Sequence, residues 1–196
     1  MRVLVACEYS NTVSGAFRDA GHDAISCDIL PSEGPDKYHF QMDIFECLTA
    51  LSPFDMIIAH PPCTNMAVCG NSTWANTQER LDAEIWSRSL WDACKASAPR
   101  VCFENPISTI SRALPVKAKY VQPWQFGHPE TKKTGLWLHN LPPLVPEDDV
   151  YEYMMTLPLK ERHKIWYASP GPNRGKERSR FYTGIANAMV NQWGTL

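Results

Sequence analysis

Short apolar runs that alternate with helix-like stretches limit the fold of this chain more than any other feature. Apolar and β-branched runs predict strands at 2–7, 23–28, 41–45, 53–62 and 100–106. Apolar residues at helical spacing predict helices at 12–21, 76–97 and 181–193. Strands and helices that alternate in this way form a mainly parallel sheet with helices on both faces. The sequence therefore predicts an α/β fold.

Two further segments complete the predicted organisation. In 122–143, two strand-like runs flank the polar stretch GHPETKKT, which predicts an antiparallel hairpin at the sheet edge. Along the helix at 76–97, apolar residues are expected near one face, namely Leu81, Ile85, Trp86, Leu90 and Ala93. The 196 residues suit one domain over 1–196, in which the segment 139–180 is a proline-rich and basic insertion.

Composition excludes several other classes of protein. Hydrophobic residues make up 44% of the chain and charged residues 20%, which is typical of a globular domain. The longest apolar runs are too short to cross a bilayer, so no membrane is expected, and the N-terminus has no signal-peptide pattern. Seven cysteines without a C-x-x-C pair favour a reducing cytoplasm and argue against disulfides and a metal site.

Polar and reactive side chains follow the predicted strands at the points where the strands end. Ligands of open α/β sheets bind outside the carboxyl ends of the strands, so these side chains are expected to share one rim. They are Cys7 and Glu8, Asp28, the run His60-Pro61-Pro62-Cys63, and the run Glu104-Asn105-Pro106.

Asp28 and the first turn together suggest a type of cofactor. An acidic residue at the end of the second strand typically accepts hydrogen bonds from ribose hydroxyls, although an ordinary turn or cap Asp fits the position equally well. The first turn, CEYSNT, has no G-x-G-x-x-G pattern, so a dinucleotide with a pyrophosphate is not expected. A cofactor that contains adenosine but no phosphate remains compatible, and S-adenosylmethionine is such a molecule.

Cys63 is a candidate nucleophile because two prolines precede it. Proline fixes the backbone and removes donors, so the loop should be rigid and the direction of the thiol well defined. A free cysteine is more often buried and inert. Glu104 strengthens the hypothesis, because it follows the neighbouring strand, where a carboxylate is unfavourable without a partner or a role.

The PPC and ENP segments after neighbouring strands resemble the cytosine-5 DNA methyltransferase family. In that family a P-C dipeptide carries the nucleophile, and an E-N-V segment carries the carboxylate that holds the base. Four further segments are similar to family motifs in the same order: 14–31, 42–46, 128–138 and 182–193. In size the chain is most similar to short, phage-type members, which implies the cytoplasm of a bacterium or of a phage-infected host.

The resemblance implies a Rossmann-like methyltransferase fold and a methyl transfer from S-adenosylmethionine to carbon 5 of cytosine. It implies a catalytic group of Pro62, Cys63, Glu104 and Asn105. It also implies that the cofactor is held by residues at the strand ends and on the last helix, namely Cys7, Glu8, Tyr9, Ser10, Asn11, Asp28, Ile29, Asp43, Ile44, His60, Asn187 and Ala188.

The chain departs from the family at several motifs. CEYSNT replaces a glycine-rich first loop, and Glu130, Lys132 and Thr134 replace the Q-x-R-x-R residues. No recognition domain separates the hairpin from the last motif. Residues 160–180 instead hold seven Lys and Arg residues, a candidate surface for a phosphate backbone, although a basic stretch is often only solvated. The expected nucleic-acid contacts are Lys132, Lys164, Trp166, Arg174, Lys176, Arg178 and Arg180.

Three alternatives remain open at this stage. HPPC resembles the [DNS]-P-P-[YFW] motif of amino-methyltransferases only superficially, because His60 has no side-chain carbonyl and Cys63 has no aromatic face. The substrate could be a free nucleotide, a single strand or a tRNA base instead of duplex DNA. The altered first loop would also suit a non-catalytic module that binds nucleic acid or protein.

Overall fold

The computed structural model describes residues 1–169, 171 and 174–196, so Pro170, Pro172 and Asn173 of the predicted insertion lie outside the described residues. The strands of its sheet are β1 (Arg2–Ala6), β2 (Asp23–Asp28), β3 (His39–Gln41), β4 (Met56–Ala59), β5 (Arg100–Pro106), β6 (Lys119–Val121) and β7 (Thr134–His139). They form one seven-stranded sheet in the order β3-β2-β1-β4-β5-β7-β6. Strands β1 to β5 are parallel, and β7 is antiparallel to both β5 and β6.

Helices precede, connect or follow most of these strands. They are α1 (Thr12–Asp19), α2 (Ile44–Leu51), α3 (Asn71–Trp74), α4 (Gln78–Ser97), α5 (Ile110–Ala113), α6 (Tyr151–Thr156), α7 (Leu159–Arg162), α8 (Lys164–Tyr167), α9 (Arg174–Ser179) and α10 (Thr183–Trp193). In the part of the chain that the structure describes, no helix is both long enough and apolar enough to cross a membrane.

The sheet is buried on both faces, because successive side chains of a strand point to opposite sides. On one face, Val3, Phe17 and Met189 belong to the cluster that joins the sheet to α1 and α10. On the other, Leu4 and Trp91 belong to the cluster under α2 and α4. The predicted architecture is confirmed: a Rossmann-like α/β fold with a mainly parallel sheet, an antiparallel edge pair and helices on both faces.

Local sequence explains where the first two helices begin and end. The buried carboxylate of Glu8 accepts from the backbone N–H groups of Val13 at 2.6 Å and Ser14 at 3.0 Å, which satisfies the first turn of α1. After α1, Gly21 adopts a φ of 85°, the left-handed conformation that glycine favours, and turns the chain into β2. Asp43 caps α2 by accepting from Phe45 at 2.8 Å.

Three details of the prediction were wrong. The third strand is 39–41 instead of 41–45, because Asp43 starts a helix at the residues that were assigned to the strand. The first strand of the hairpin is 119–121, before the predicted segment, and β7 lies inside the sheet with β6 at its edge. On α4, Leu81 and Ile85 are exposed, whereas the buried residues are Arg80, Ser87, Leu90, Trp91 and Cys94.

Candidate active site

The ends of β1, β2, β4 and β5 meet at one rim of the sheet, because these four strands are parallel. The register of β4 and β5 pairs Ala59 with Phe103, so the next residues, His60 and Glu104, lie side by side. Their side chains are hydrogen-bonded, with His60 Nδ1 2.9 Å from Glu104 Oε2. Both side chains are largely buried, so His60 sets the position of the Glu104 carboxylate.

The loop that carries Cys63 is held by the strand next to it. Asn105, which is almost fully buried, donates from Nδ2 to the backbone carbonyl of Pro61 at 2.8 Å. The carbonyl of Cys63 accepts from Met66 and Ala67 at 3.0 and 2.7 Å, which closes a tight turn directly after the thiol. Asn105 therefore positions the proline loop, a contact that the sequence did not predict.

Residues 64–71 are fixed from two sides. On one side, Val68 donates to the carbonyl of Ile107 at 3.0 Å, and Thr109 donates to that of Met66 at 3.0 Å, so the loop pairs with the segment that follows β5. On the other side lies Arg80, whose side chain is buried. Its Nε donates to the carbonyl of Asn65 at 2.7 Å, and its Nη1 donates to Asn71 Oδ1 at 2.7 Å.

The sequence did not predict a role for Arg80. An arginine among apolar helical positions is usually expected on the solvent side, and two exposed hydrophobic residues nearby suggested a different buried face. Within the described part of the chain, no carboxylate lies within ion-pair distance of Arg80. A buried guanidinium without such a partner is unfavourable unless its hydrogen bonds stabilise something, and here they hold the loop of Cys63.

The electrostatic surroundings of Cys63 oppose the thiolate. Burial, followed by the nearby charge of Glu104, raises the pKa of the Cys63 thiol, and the nearby charge of Lys132 lowers it. Burial lowers the pKa of Lys132, while Glu104 and Cys63 act in the opposite direction. Lys132 Nζ donates to the carbonyl of Arg180 at 2.8 Å. Lys132, predicted to contact nucleic acid, therefore lies in the same charge cluster as Cys63 and Glu104.

The first loop keeps a glycine-like backbone although it contains no glycine. Cys7 and Asn11 have φ values of 57° and 61°, in the left-handed region that glycine favours. Left-handed non-glycine residues at a turn often mark a functional site. Ser10 Oγ donates to Glu8 at 3.3 Å, and the carbonyl of Tyr9 accepts from the backbone of Glu33 at 2.8 Å.

The acidic residues predicted to hold the cofactor lie beside this loop. Burial raises the pKa of Asp28, which accepts from the backbone of Leu30 at 2.9 Å. The next residue, Ile29, is 72% exposed at the rim. Burial, followed by the charges of Asp28 and Asp43, raises the pKa of Cys7 to about 12. The backbone of Met42, next to Asp43, donates to the carbonyl of Asp28 at 3.1 Å, and the role of the two carboxylates in holding a cofactor stays a prediction.

Three residues predicted to contact the cofactor pack against other side chains, and their role stays a prediction. Ile44 is buried in the core cluster under α2 and α4. Ala188 is buried against the opposite face of the sheet, whereas its neighbour Asn187 is exposed on α10. The ring of His60 packs against Phe181, with the centroids 5.0 Å apart.

Most of the basic residues of 160–180 contact the protein itself. Lys164 is paired with Glu130 at 2.6 Å, and Lys176 is paired with Glu33 at 2.5 Å. Arg180 lies 3.8 Å from Glu33, Arg174 donates to the carbonyl of Ala168 at 2.8 Å, and Arg178 lies 3.5 Å from Cys69 Sγ. Trp166 is 71% exposed. A role for this segment in nucleic-acid binding stays a prediction.

Two clefts open on the surface. One, of about 470 Å³, lies between the loop of Cys63 and α4, and its lining includes Pro62, Asn65, Asp82 and Trp86. Trp86 also contacts Phe45 at the start of α2. The other, of about 360 Å³, lies between α5 and β6. Among the described residues, no group of three or more His, Cys, Asp or Glu side chains could hold a metal ion.

Comparison with known proteins gives only distant structural similarities. No protein-family model matches the sequence, and no curated protein matches it. One similar structure is a prophage-encoded E. coli protein assigned as a DNA modification methyltransferase, with 15% identity, a TM-score of 0.49 and coverage of 80% of this chain and 55% of that chain. The chain thus spans little more than half the length of that protein.

Two other similar structures have comparable scores. The S. pombe Dnmt2 methyltransferase has 15% identity and a TM-score of 0.48, with coverage of 100% of this chain and 67% of that chain. The bifunctional kinase-methyltransferase WbdD has 14% identity and a TM-score of 0.46, with coverage of 74% and 36%. At these levels the function has to be inferred from the site itself.

Proposed function

We propose that this protein is an S-adenosylmethionine-dependent methyltransferase that acts on carbon 5 of cytosine in DNA through a covalent bond to Cys63. One observation carries the proposal: Cys63 and Glu104, which are far apart in sequence, follow the ends of the neighbouring strands β4 and β5, and Asn105 bonds the proline loop before Cys63. The charge of Lys132 acts on both groups. The reaction uses a nucleophile for carbon 6 and a carboxyl group for ring nitrogen 3, and a nearby cation would stabilise the thiolate.

The thiol of Cys63 must lose its proton before it can attack. Burial raises the pKa of Cys63 and lowers that of Lys132, and Lys132 is the candidate acceptor of the thiol proton. The resulting ammonium would stabilise the thiolate. The sulfur then bonds to carbon 6 of the pyrimidine ring, and the electron pair of the 5,6 double bond becomes available at carbon 5.

Glu104 would stabilise the charge that develops on the ring. In its protonated form it can donate a hydrogen bond to ring nitrogen 3, a type of assistance that contributes about 10²–10⁴ in rate. His60, bonded to Oε2, orients the carboxyl group so that its other oxygen is free for the base. After the methyl group is in place, a base removes the carbon 5 proton, and the thiolate leaves as the double bond re-forms.

The rim residues fit S-adenosylmethionine at its adenosine end. Asp28 is the candidate acceptor for the ribose hydroxyls, exposed Ile29 can pack against the adenine, and the cleft from Pro62 to Trp86 has two acidic side chains, Glu79 and Asp82, in its lining. Acidic walls suit a sulfonium cofactor better than a phosphate. When bound, the cofactor would supply an electrophilic methyl group.

The amino-acid end of the cofactor does not find free N–H donors at the first turn of α1. This favours a second candidate function, that of a non-catalytic binding module. The carboxylate of Glu8 already accepts the first free N–H groups of α1, so an incoming carboxylate does not find them available. A binding module that keeps the fold without methyl transfer would share this feature. Calorimetry with S-adenosylmethionine separates the two, because only the enzyme requires the cofactor.

An oligonucleotide with 5-fluorocytosine tests the covalent step. Fluorine at carbon 5 cannot leave as a proton does, so the enzyme should remain bound in an adduct that survives denaturant and requires S-adenosylmethionine. Cys63→Ser should abolish the adduct. Cys69→Ala is the matched control, because Cys69 is exposed on the same loop and should not be needed.

The location of the adduct decides the mechanism. An adduct that maps to a cysteine other than Cys63, or methyl transfer that survives in Cys63→Ala, would contradict it. Duplex DNA, single-stranded DNA, RNA and dCMP, tested in parallel with a labelled methyl donor, identify the substrate. If none of them accepts methyl and the cofactor does not bind, the binding module is the correct function.

A further inference from the structure

The cleft between α5 and β6 has the chemistry of a nucleotide-binding site. Its apolar wall consists of Leu114, Pro115, Val116 and Ala118, and its polar lining consists of Ser111, Lys117 and Tyr120. At about 360 Å³ it lies in the lower part of the size range of pockets for small ligands, roughly 300–1,000 Å³. It contains no acidic side chain among its lining residues. It is named the Tyr120 cleft below.

Tyr120 presents an aromatic ring at the mouth of this cleft. The side chain is 44% exposed, and its ring lies over Gly135, where an added Cβ would come within 3.3 Å of it. Lys133 Nζ lies 4.5 Å from the ring centroid. The lysine thus lies over one face of the ring, and a base that stacks on this face would displace the flexible lysine side chain toward the neighbouring phosphate.

The charge around the Tyr120 cleft is positive and unpaired. Residues 105–129 contain no Asp or Glu, and Arg112 and Lys117 lie among them. Within the described residues, neither Lys117 nor Lys133 has a carboxylate within ion-pair distance. In the basic segment 160–180, by contrast, Lys164 and Lys176 are already paired with carboxylates. The lysines at the Tyr120 cleft are therefore more available to bind phosphates than the paired lysines of 160–180.

The Tyr120 cleft lies close to the candidate active site. In the sheet, Tyr120 pairs with Gly135, and Gly135 pairs with Asn105 of the catalytic rim. Adjacent strands are about 4.8 Å apart, so the backbone at Tyr120 is roughly 10 Å from that at Asn105. A stacked strand advances about 3.4 Å per nucleotide, so this separation corresponds to about three nucleotides. The hairpin also connects the two sites, since Lys132 belongs to the charge cluster of Cys63 and Lys133 contacts Tyr120.

We propose that the Tyr120 cleft binds an unpaired base of a single-stranded nucleic acid, about three nucleotides from the base that reaches Cys63, with Lys117 and Lys133 on the neighbouring phosphates. This inference rests on the proposed function and specifies its substrate as a single strand. A base in this cleft cannot be paired at the same time, so duplex DNA would have to open at two places. Single-stranded DNA or RNA meets the requirement without that opening.

Fluorescent oligonucleotides test the proposal directly. Each single strand of a series carries one cytosine and one 2-aminopurine, a base whose emission is quenched when it stacks. From one strand to the next, the 2-aminopurine moves to successive positions on either side of the cytosine. The protein is Cys63→Ala, so that binding is measured without the covalent step. Quenching should be greatest two to four nucleotides from the cytosine. It should be lost in Tyr120→Ala, with affinity about tenfold weaker, and retained in Tyr120→Phe.

The two lysines are tested by the salt dependence of binding. The variant with Lys117→Ala and Lys133→Ala should lower the slope of log affinity against log salt by about 1.4, because each phosphate contact with a single strand contributes about 0.7. Lys37→Ala with Lys95→Ala removes the same charge from exposed positions elsewhere and should leave the slope unchanged.

The outcomes separate this inference from the proposed function. If wild type forms the 5-fluorocytosine adduct while the Tyr120 and lysine variants bind like wild type, the inference is wrong and the proposed function stands. If the 2-aminopurine quenching and the salt slope change as expected but no adduct forms, the Tyr120 cleft binds a single strand and the covalent mechanism at Cys63 is wrong. Tighter binding of duplex than of single strand, or no binding of any oligonucleotide, overturns the inference.

Discussion

Replacement of Arg80 by Met tests how the loop of Cys63 is held. Arg80 is 5% exposed, and its guanidinium makes two hydrogen bonds of 2.7 Å and one of 3.4 Å to residues 65–71. Hydrogen bonds with a charged donor contribute about 1.5–3 kcal/mol each, so the two short ones contribute about 3–6 kcal/mol. The unfavourable burial of the charge offsets several kcal/mol of this. We expect Arg80→Met to lower the free energy of unfolding by about 2–3 kcal/mol.

Two measurements follow from this expectation. Thermal unfolding should shift down by about 4–12 °C, since 1 kcal/mol corresponds to about 2–4 °C in a chain of this size. The freed loop should expose Cys63, so its alkylation by iodoacetamide, mapped by mass spectrometry, should become faster. Formation of the 5-fluorocytosine adduct should become slower, because the thiol is no longer held in one position. A general loss of structure would also speed alkylation of the buried core cysteines Cys94 and Cys102, which should stay protected if only the loop is freed.

Arg88→Met is the matched control for Arg80→Met. Arg88 lies on the same helix but is exposed, and it pairs with Asp92 four residues later at 2.7 Å. Such pairs contribute about 0.3–0.5 kcal/mol, so stability should hardly change. If Arg80→Met were as stable as Arg88→Met, or if Cys63 were alkylated at the wild-type rate, the guanidinium would not hold the loop.

The remaining predictions concern charge at the rim. The charge of Glu104 raises the pKa of Cys63, so Glu104→Gln should move the pH profile of Cys63 alkylation to lower pH. The charge of Lys132 lowers the same pKa, so Lys132→Met should move the profile to higher pH. Profiles identical to wild type in both variants would show that neither charge acts on the thiol. Asp28→Ala should weaken S-adenosylmethionine binding by about 1.5–3 kcal/mol in calorimetry. Equal affinities would exclude Asp28 as a ligand.

The strands of the parallel sheet could largely be predicted from the sequence because their signals are local. β2 and β5 begin and end at the predicted residues, since β-branched runs bounded by turn or proline signals depend little on distant contacts. The third strand was misplaced although a local signal was present. Asp43 followed three residues later by Glu46 is typical of a helix start, and it was interpreted as part of a strand.

The rim of the candidate site also followed from the sequence. Parallel strands bring their carboxyl ends to one edge, so His60 and Glu104 had to be neighbours once their strands were adjacent. The sequence did not predict that the two side chains bond to each other, or that Asn105 holds Pro61. These contacts depend on rotamers and on distances between loops, which are set only when the strands pack.

Only the tertiary structure decided which charged groups are available and which are already used. Arg80 is buried because α4 turns that side toward the loop of Cys63. Lys132 and Lys133 are adjacent in sequence, yet one belongs to the candidate active site and the other contacts Tyr120 at the sheet edge. The sequence determines which side chains are present and the local periodicity that specifies each helix or strand. The partner of each charged group lies far away along the chain, so it is determined only when the helices and strands pack.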